Sequence, residues 1–279
     1  MIDCHRSEPI AGVAMSERDP ALAGIDTSQM SHARAYDYVL GGKDNFAVDR
    51  EAAAQVIALA PDLPALGRAQ RRFLLRVTQM CTEAGIRQFL DIGAGIPTRP
   101  NVHESARSIA PDARVVYVDN DPIVFMHNRA LLADEDGVAS IQADVRQPRQ
   151  LLDDPRVRQL INFDEPVLLL FIGLFHLVTD REDPAALIAE FRDRLAPGSY
   201  VCVSQFCSDG SDPAARAKLE EISVNSPAPM TFRPRDAIER FFDGLELLPP
   251  GVVDVQQWWP DETAPPTMLK VAAGVGRKR

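Results

Sequence analysis

The chain has little cysteine, histidine or lysine and no long apolar run, and each shortage removes a class of explanation. Its four cysteines, Cys4, Cys81, Cys202 and Cys207, form no CxxC pair. Neither a disulfide framework nor a cysteine zinc site is therefore expected, and a reduced, cytoplasmic protein fits. The five histidines are scattered and HExxH is missing, so no metal is expected. The longest apolar stretch, Val167 to Val178, contains His176 and is too short to span a bilayer. Residues 1–24 mix charges and small residues without an apolar core, so a flexible segment is expected there, not a secretory signal. Only four of the thirty basic residues are lysines, and the one dense basic run is Arg277 to Arg279. With a net charge of −10, the average field repels a phosphate backbone, so nucleic acid is not an expected partner.

What is present is the composition of a globular protein: 46% hydrophobic and 25% charged over 279 residues. From residue 25 to about residue 84 the pattern is mainly helical, broken at Gly41-Gly42 and again by Pro61 and Pro64. Short apolar runs then alternate with helical patterns. The runs are Gln88–Ile92, Arg114–Val118, Ala139–Ala143, Val167–Ile172 and Tyr200–Phe206. Helices are predicted at 102–110, 122–134, 148–160 and 183–195. Such spacing predicts βαβ units and a doubly wound parallel sheet. Further helices are predicted at 212–224 and 234–242. Two extended runs, Leu245–Val255 and Met268–Val275, have no helix between them and predict an antiparallel pair at the sheet edge. The expected organisation is one α/β domain over residues 25–279, with a helical cap (25–84) on a Rossmann-like core (85–279).

The glycine turn after the first strand, LDIGAGIPT (90–98), sits where an open parallel sheet places its ligand crevice. A dinucleotide fingerprint needs a third glycine at position 98, which is Thr98. Asp91 followed by Gly93 and Gly95 instead suits a ligand with a positive amino-acid end and no pyrophosphate, S-adenosylmethionine (SAM). Incidental glycines in an ordinary turn are the alternative. Asp119, at the end of the second strand in VVYVDNDP (115–122), suits a ribose diol. Asp121 precedes Pro122 and reads as a helix N-cap. Asp144, ending the third strand, suits an adenine amino group, with Val145 stacking nearby; a solvated strand end is the alternative. A nicotinamide oxidoreductase would share Asp119 and stays open, as does a SAM-binding protein without catalysis.

Those motifs, with LAPGSYVCVS (195–204) and the terminal hairpin, resemble class I SAM-dependent methyltransferases. The N-terminal signature SHARAYDYVLGGKDNFAVDREAA (31–53), NVHE (101–104) and FFDGLELLPPGVV (241–253) are similar to the S-adenosyl methyltransferase family common in actinomycetes, over roughly residues 25–279. The resemblance implies a seven-stranded sheet with a reversed last strand. It also implies SAM at Asp91, Gly93, Gly95, Asp119 and Asp144, and a methyl acceptor as partner; Asn120, next to Asp119, and Val145 are further candidates for cofactor contact. Pro97 departs from the general class I pattern.

On the acceptor side, His176 is the one histidine near the end of the fourth strand, as a candidate base or a core residue. No Asn/Asp-Pro-Pro-Tyr/Phe signature follows that strand, which argues against methylation of DNA bases; a small-molecule oxygen or nitrogen acceptor is expected. The block around Gly41-Gly42 is a candidate lid. Tyr36 or Tyr38 would lie against the donor and Arg34 or Lys43 would meet a carboxylate. Trp258 and Trp259 either line the acceptor pocket or pack the edge loop. Arg68, Arg71 and Arg72 either bind an anion or form a solvated helix face, the second reading being preferred.

Overall fold

The apolar runs are rich in Val, Leu and Ile and are bounded by glycine, proline and charged residues, so they pair as buried strands. In a computed structural model, residues 28–132, 135–226, 228–259 and 265–279 are described. The expected flexible segment at 1–24 lies outside the described residues. Five parallel strands are β1 (Gln88–Ile92), β2 (Arg114–Asp119), β3 (Val138–Gln142), β4 (Leu168–Ile172) and β5 (Tyr200–Cys207). The C-terminal strands are β6 (Glu246–Leu247), β7 (Val253–Asp254) and β8 (Lys270–Arg277). The lateral order is β3-β2-β1-β4-β5-β8-β6, and β7 also pairs with β8. β8 runs antiparallel to β5, β6 and β7.

The sheet thus has seven lateral positions, the last shared by two short strands. The run Leu245–Val255 is not one strand, because Pro249, Pro250 and Gly251 interrupt it. The two C-terminal runs do pair antiparallel at the edge, β6 and β7 each with β8; β8 lies on the inner side, beside β5, and the short β6 and β7 form the edge itself. Pro155 similarly splits the helix expected over 148–160 into α6 (Pro148–Leu152) and α7 (Pro155–Leu160).

Strand alternation divides the core into two layers. Leu90, Val116, Leu169, Phe171 and Val203 pack on one face with Leu151, Ile188 and Phe191, which come from α6 and from α8 (Pro184–Asp193). Phe89, Val115, Leu170 and Val271 pack on the other with Phe73, Val77 and Cys81 of α3 (Leu63–Glu83). The same alternation turns Asp91 to the α3 face, in step with Phe89. Cys81, Cys202 and Cys207 are free and buried.

The N-terminal helices α1 (His32–Val39) and α2 (Ala47–Leu59) form a hairpin held by two buried acids. Asp49, with 0% of its surface exposed, accepts Ser31 N–H at 2.9 Å, Phe46 N–H at 2.9 Å and Arg34 Nε at 2.7 Å. Asp37 accepts Asp44 N–H at 2.9 Å and the Asn45 amide at 2.7 Å, closing the loop between the helices. Its carboxylate lies so close to Gly42 that any side chain there would meet Asp37 Oδ1 at 1.9 Å. Gly42 is thus a consequence of packing, and Gly41 of its left-handed backbone, φ 87°. Removing Arg34 leaves Asp49 as a buried charge without its counter-ion, which costs about 3–5 kcal/mol. Urea unfolding of Arg34→Met is expected to show a loss of that size; a loss under about 1 kcal/mol would mean that the pair does not hold the hairpin.

Candidate functional site

The strand order reverses between β1 and β4, the position at which open α/β sheets bind ligands. A cavity of about 800 Å³ opens there, towards the upper end of the usual range for ligand sites. The ends of β1 to β5, α1, α2, α3 and the segment after α9 (Pro213–Ser223) wall it.

The acids on its wall are in different electrostatic states. Asp91 is 4% exposed, and no hydrogen bond from a described residue reaches its carboxylate. Burial pushes its pKa up to about 7, against the opposing effect of the Arg71 guanidinium, and the Asp119 charge pushes it further. Asp119 is better satisfied: Oδ1 accepts Asp121 N–H and Oδ2 accepts Gly95 N–H, each at 2.9 Å. It therefore ties the glycine loop to the end of β2. Burial still raises its pKa, to about 6, with those two hydrogen bonds acting the other way. Asp144 accepts Arg146 N–H at 2.9 Å. The loop itself turns at Gly93 (φ 75°) and Gly95 (φ 66°), a left-handed backbone that favours glycine.

Of the residues singled out in the sequence, Asp91, Gly93, Gly95, Asp119, Asn120, Asp144, Val145, Tyr36 and His176 all line this one cavity. Tyr38 does not: residues two apart on a helix point to different sides, and Tyr36 is the one turned inward, its hydroxyl donating to Gly67 O at 3.1 Å. Arg34 reaches the wall, but Asp49 and the Gln29 carbonyl occupy its guanidinium, and Lys43 is exposed outside it. Trp258 donates to Ala273 O at 2.9 Å and packs with Trp259 on Phe73, so the tryptophans belong to the edge loop. Asp121 caps Ile123 N–H at 2.8 Å and also accepts Ser31 Oγ at 2.6 Å, which docks the start of α1 on the cavity rim. In NVHE, the Glu104 carboxylate accepts Asn101 N–H at 2.6 Å and His103 meets the Tyr117 hydroxyl at 2.8 Å, so the motif builds a helix start.

His176 follows β4, with its Nδ1 buried and unpartnered. Burial lowers its pKa to about 3, with smaller contributions from His32 and Arg233. Three wall residues carry more than the sequence reading gave them. Arg71 is half-buried on the cavity wall; two of its hydrogen bonds go to the Thr98 and Pro100 carbonyls, while its Nε is buried without a partner among the described residues. Gln70, beside it, also faces inward. His32 meets Ala228 O at 2.8 Å through Nε2, so that nitrogen carries the hydrogen and the neutral ring bridges α1 to the segment after α9. A signal for the first two was legible: Gly67, Gln70, Arg71 and Leu74 recur at i, i+3, i+4 and i+7, one helical face.

Among the described residues, no group of three or more metal-ligating side chains gathers, and no helix is long and apolar enough to cross a membrane. The family model described as S-adenosyl methyltransferase matches residues 18–279. The crystal structure of a candidate methyltransferase from Thermobifida fusca YX is 39% identical; the match covers 95% of this chain and 100% of that one, with a TM-score of 0.87. A DUF574 family protein from Streptomyces avermitilis MA-4680 is also 39% identical, covering 91% of this chain and 99% of that one, with a TM-score of 0.86. No curated protein matches. The chain belongs to the S-adenosyl methyltransferase family, a family of SAM-dependent methyltransferases.

The raised acids give the site a pH signature. In the ligand-free protein the protonated forms are favoured. These groups therefore add stability that is complete below the ordinary carboxylate range and lost as pH rises through about 6 and about 7. A ligand bringing an ammonium and hydroxyl donors favours the ionised forms. Affinity for S-adenosylhomocysteine is thus expected to rise between about pH 5.5 and pH 7.5 and then level off, with proton release on binding near the middle of that range. Calorimetry in buffers of different ionisation enthalpy checks this, and Asp91→Asn is expected to flatten the profile. An affinity independent of pH in the parent protein would contradict it.

Proposed function

We propose that the chain transfers the methyl group of SAM to an oxygen or nitrogen of a small molecule bound in the same cavity. The observation that carries this reading is that carboxylates ending three adjacent strands, Asp91, Asp119 and Asp144, open on one cavity, with room left beside β4 and β5. Asp91, which accepts no hydrogen bond from a described residue, and the guanidinium of Arg71, both on the cavity lining, fit a ligand with both an ammonium and a carboxylate. When bound, the cofactor supplies an electrophilic methyl carbon on a sulfonium. Asp91 receives its ammonium and Arg71 its carboxylate. The main chain at Gly93 and Gly95 lies along the methionine moiety. Each Asp119 oxygen keeps a lone pair for a ribose hydroxyl besides the N–H it already accepts. Asp144 takes the adenine amino group, with Val145 and Asn120 beside the ring.

The rest of the chain's contribution is placement. In-line displacement needs the acceptor atom held on the far side of the methyl carbon from sulfur, and such placement supplies up to about 7–11 kcal/mol. His176 is neutral at physiological pH, so it accepts a hydrogen bond from the acceptor and orients it without storing a proton. Tyr36 and the His32 bridge to Ala228 cover the cavity, which favours an acceptor that fits inside whole.

Isothermal titration with SAM and S-adenosylhomocysteine tests the cofactor half: both are expected to bind, and failure of both at millimolar concentration would sink it. Asp119→Ala is expected to weaken S-adenosylhomocysteine by about 2 kcal/mol, roughly thirtyfold; unchanged affinity would move the ribose contact elsewhere. Turnover of labelled SAM with a metabolite extract tests the transfer half. Label incorporated into a small molecule is the expected result, and binding without turnover would identify a non-catalytic SAM-binding protein.

A further inference from the structure

The cavity wall is divided by charge. Every charged residue on it, Arg34, Arg71, Asp91, Asp119, Asp121, Asp144 and Arg146, comes from α1, α3 or the ends of β1, β2 and β3. The other half, built from the ends of β4 and β5, β8, α9 and the segment after α9, carries no charged side chain. Its wall includes Ile172, Leu177, Phe206, Leu219, Ile222 and Met230. Three polar side chains face the boundary, and all are uncharged: His32, neutral on Ala228; His176, with Nδ1 unpartnered; and Gln70.

Gln70 is the unexplained member. It is 7% exposed, and no hydrogen bond from a described residue satisfies its amide. It rests directly on Gly173, the residue after β4: a side chain at Gly173 would meet Gln70 Nε2 at 2.5 Å and His176 Cε1 at 3.5 Å. Gly173 also has a φ of 67°, so the turn that brings these groups together needs glycine twice over. The Gln70 amide faces the cavity, free to donate to or accept from a ligand there. It is held beside an imidazole whose Nδ1 is buried without a partner among the described residues, next to the strand end at which the charged half of the cavity stops.

We infer that the uncharged half takes a neutral, largely apolar alcohol or phenol as methyl acceptor, with Gln70 and His176 receiving its hydroxyl. This rests on the proposed function, because it assigns the acceptor for that same site. The charge pattern selects the class. A carboxylate or phosphate would be desolvated with no cation lining this half, since the buried Arg233 behind it is taken up by the Phe175 and Val178 carbonyls and by Asp180, and an aliphatic amine, an ammonium at neutral pH, with no anion on the lining. A hydroxyl needs neither. One amide and one imidazole supply a donor and an acceptor for it. In the reaction, the bond from the acceptor oxygen to the methyl carbon forms as the carbon–sulfur bond breaks. The sulfur keeps the electron pair, and the oxygen, made strongly acidic as the new bond forms, releases its proton to solvent water, His176 serving only as the hydrogen-bond acceptor that orients the hydroxyl. The products are a methyl ether, S-adenosylhomocysteine and a proton. Gln70 acts here as a positioning and specificity residue.

The test uses probes of one shape and different charge: 2-naphthol, naphthalene, 2-naphthoate and 2-naphthylmethylammonium, titrated into the full chain with and without S-adenosylhomocysteine. 2-Naphthol is expected to bind about tenfold or more tighter than either charged probe and than naphthalene. Gln70→Leu should erase the preference for naphthol over naphthalene while leaving S-adenosylhomocysteine affinity within about twofold; Gln70→Asn should restore part of it. The unchanged cofactor affinity is the control for folding, and the naphthol-to-naphthalene ratio is a readout that general loosening would not move. Charged probes binding as well as naphthol, or an unchanged ratio in Gln70→Leu, would overturn the inference. Failure of S-adenosylhomocysteine to bind would instead sink the cofactor reading, and the probe ranking without it would still judge the pocket.

Discussion

A carboxylate withdrawn into a crevice and given no hydrogen bond by any described residue is costly to keep ionised, and the end of β1 contains one. Asp91 is turned to the α3 face by strand alternation, enclosed by protein and left facing a guanidinium that is itself incompletely satisfied. That condition is tolerable in the ligand-free chain because the acid protonates near neutrality. It is relieved when a cation arrives. Asp119 is the complementary case: its two accepted N–H groups keep it in place and keep the glycine loop in place with it. One acid waits for the ligand; the other builds the loop that meets it.

Other features serve to keep this crevice open and covered. The α1–α2 hairpin has no sheet of its own to pack on, so it is held by Asp37 and Asp49, and its first residue is docked on the rim by Asp121. α3 belongs to both parts: Phe73, Val77 and Cys81 pack in the sheet layer, while Gln70 and Arg71 face the cavity. The His32 bridge to Ala228 closes the opposite side. The cover is therefore a continuation of the core.

Much of this was legible in the sequence, for reasons that can be given residue by residue. The inner parallel strands are largely apolar runs, as a sheet buried on both faces requires, and the acids at the ends of β1, β2 and β3 mark the crevice by position alone. Asp121 before Pro122 read as a cap because that dipeptide has a local mechanism. What failed depended on long-range packing. Arg71 looked solvated because a charge on a helix usually is; its neighbours in space, Asp91 and Tyr36, are 20 and 35 positions away in the chain. Tyr36 and Tyr38 were left as equals, although helical geometry lets only one of them face the cavity. The run at 245–255 looked like one strand because apolar content outweighed the Pro249-Pro250 break. Gln70 carried no signal of its own residue type, and only its place on the stripe of Gly67, Arg71 and Leu74 pointed inward.

The claim on which the account stands is that Asp91 is held near its protonation midpoint until a cationic ligand takes its charge. Isotope-edited infrared or NMR titration of the Asp91 carboxyl, with and without saturating SAM, measures this directly. The account predicts a midpoint of about 7 in the free protein that falls well into the ordinary carboxylate range on binding. A midpoint already low in the free protein, or one that SAM leaves unmoved, would contradict it.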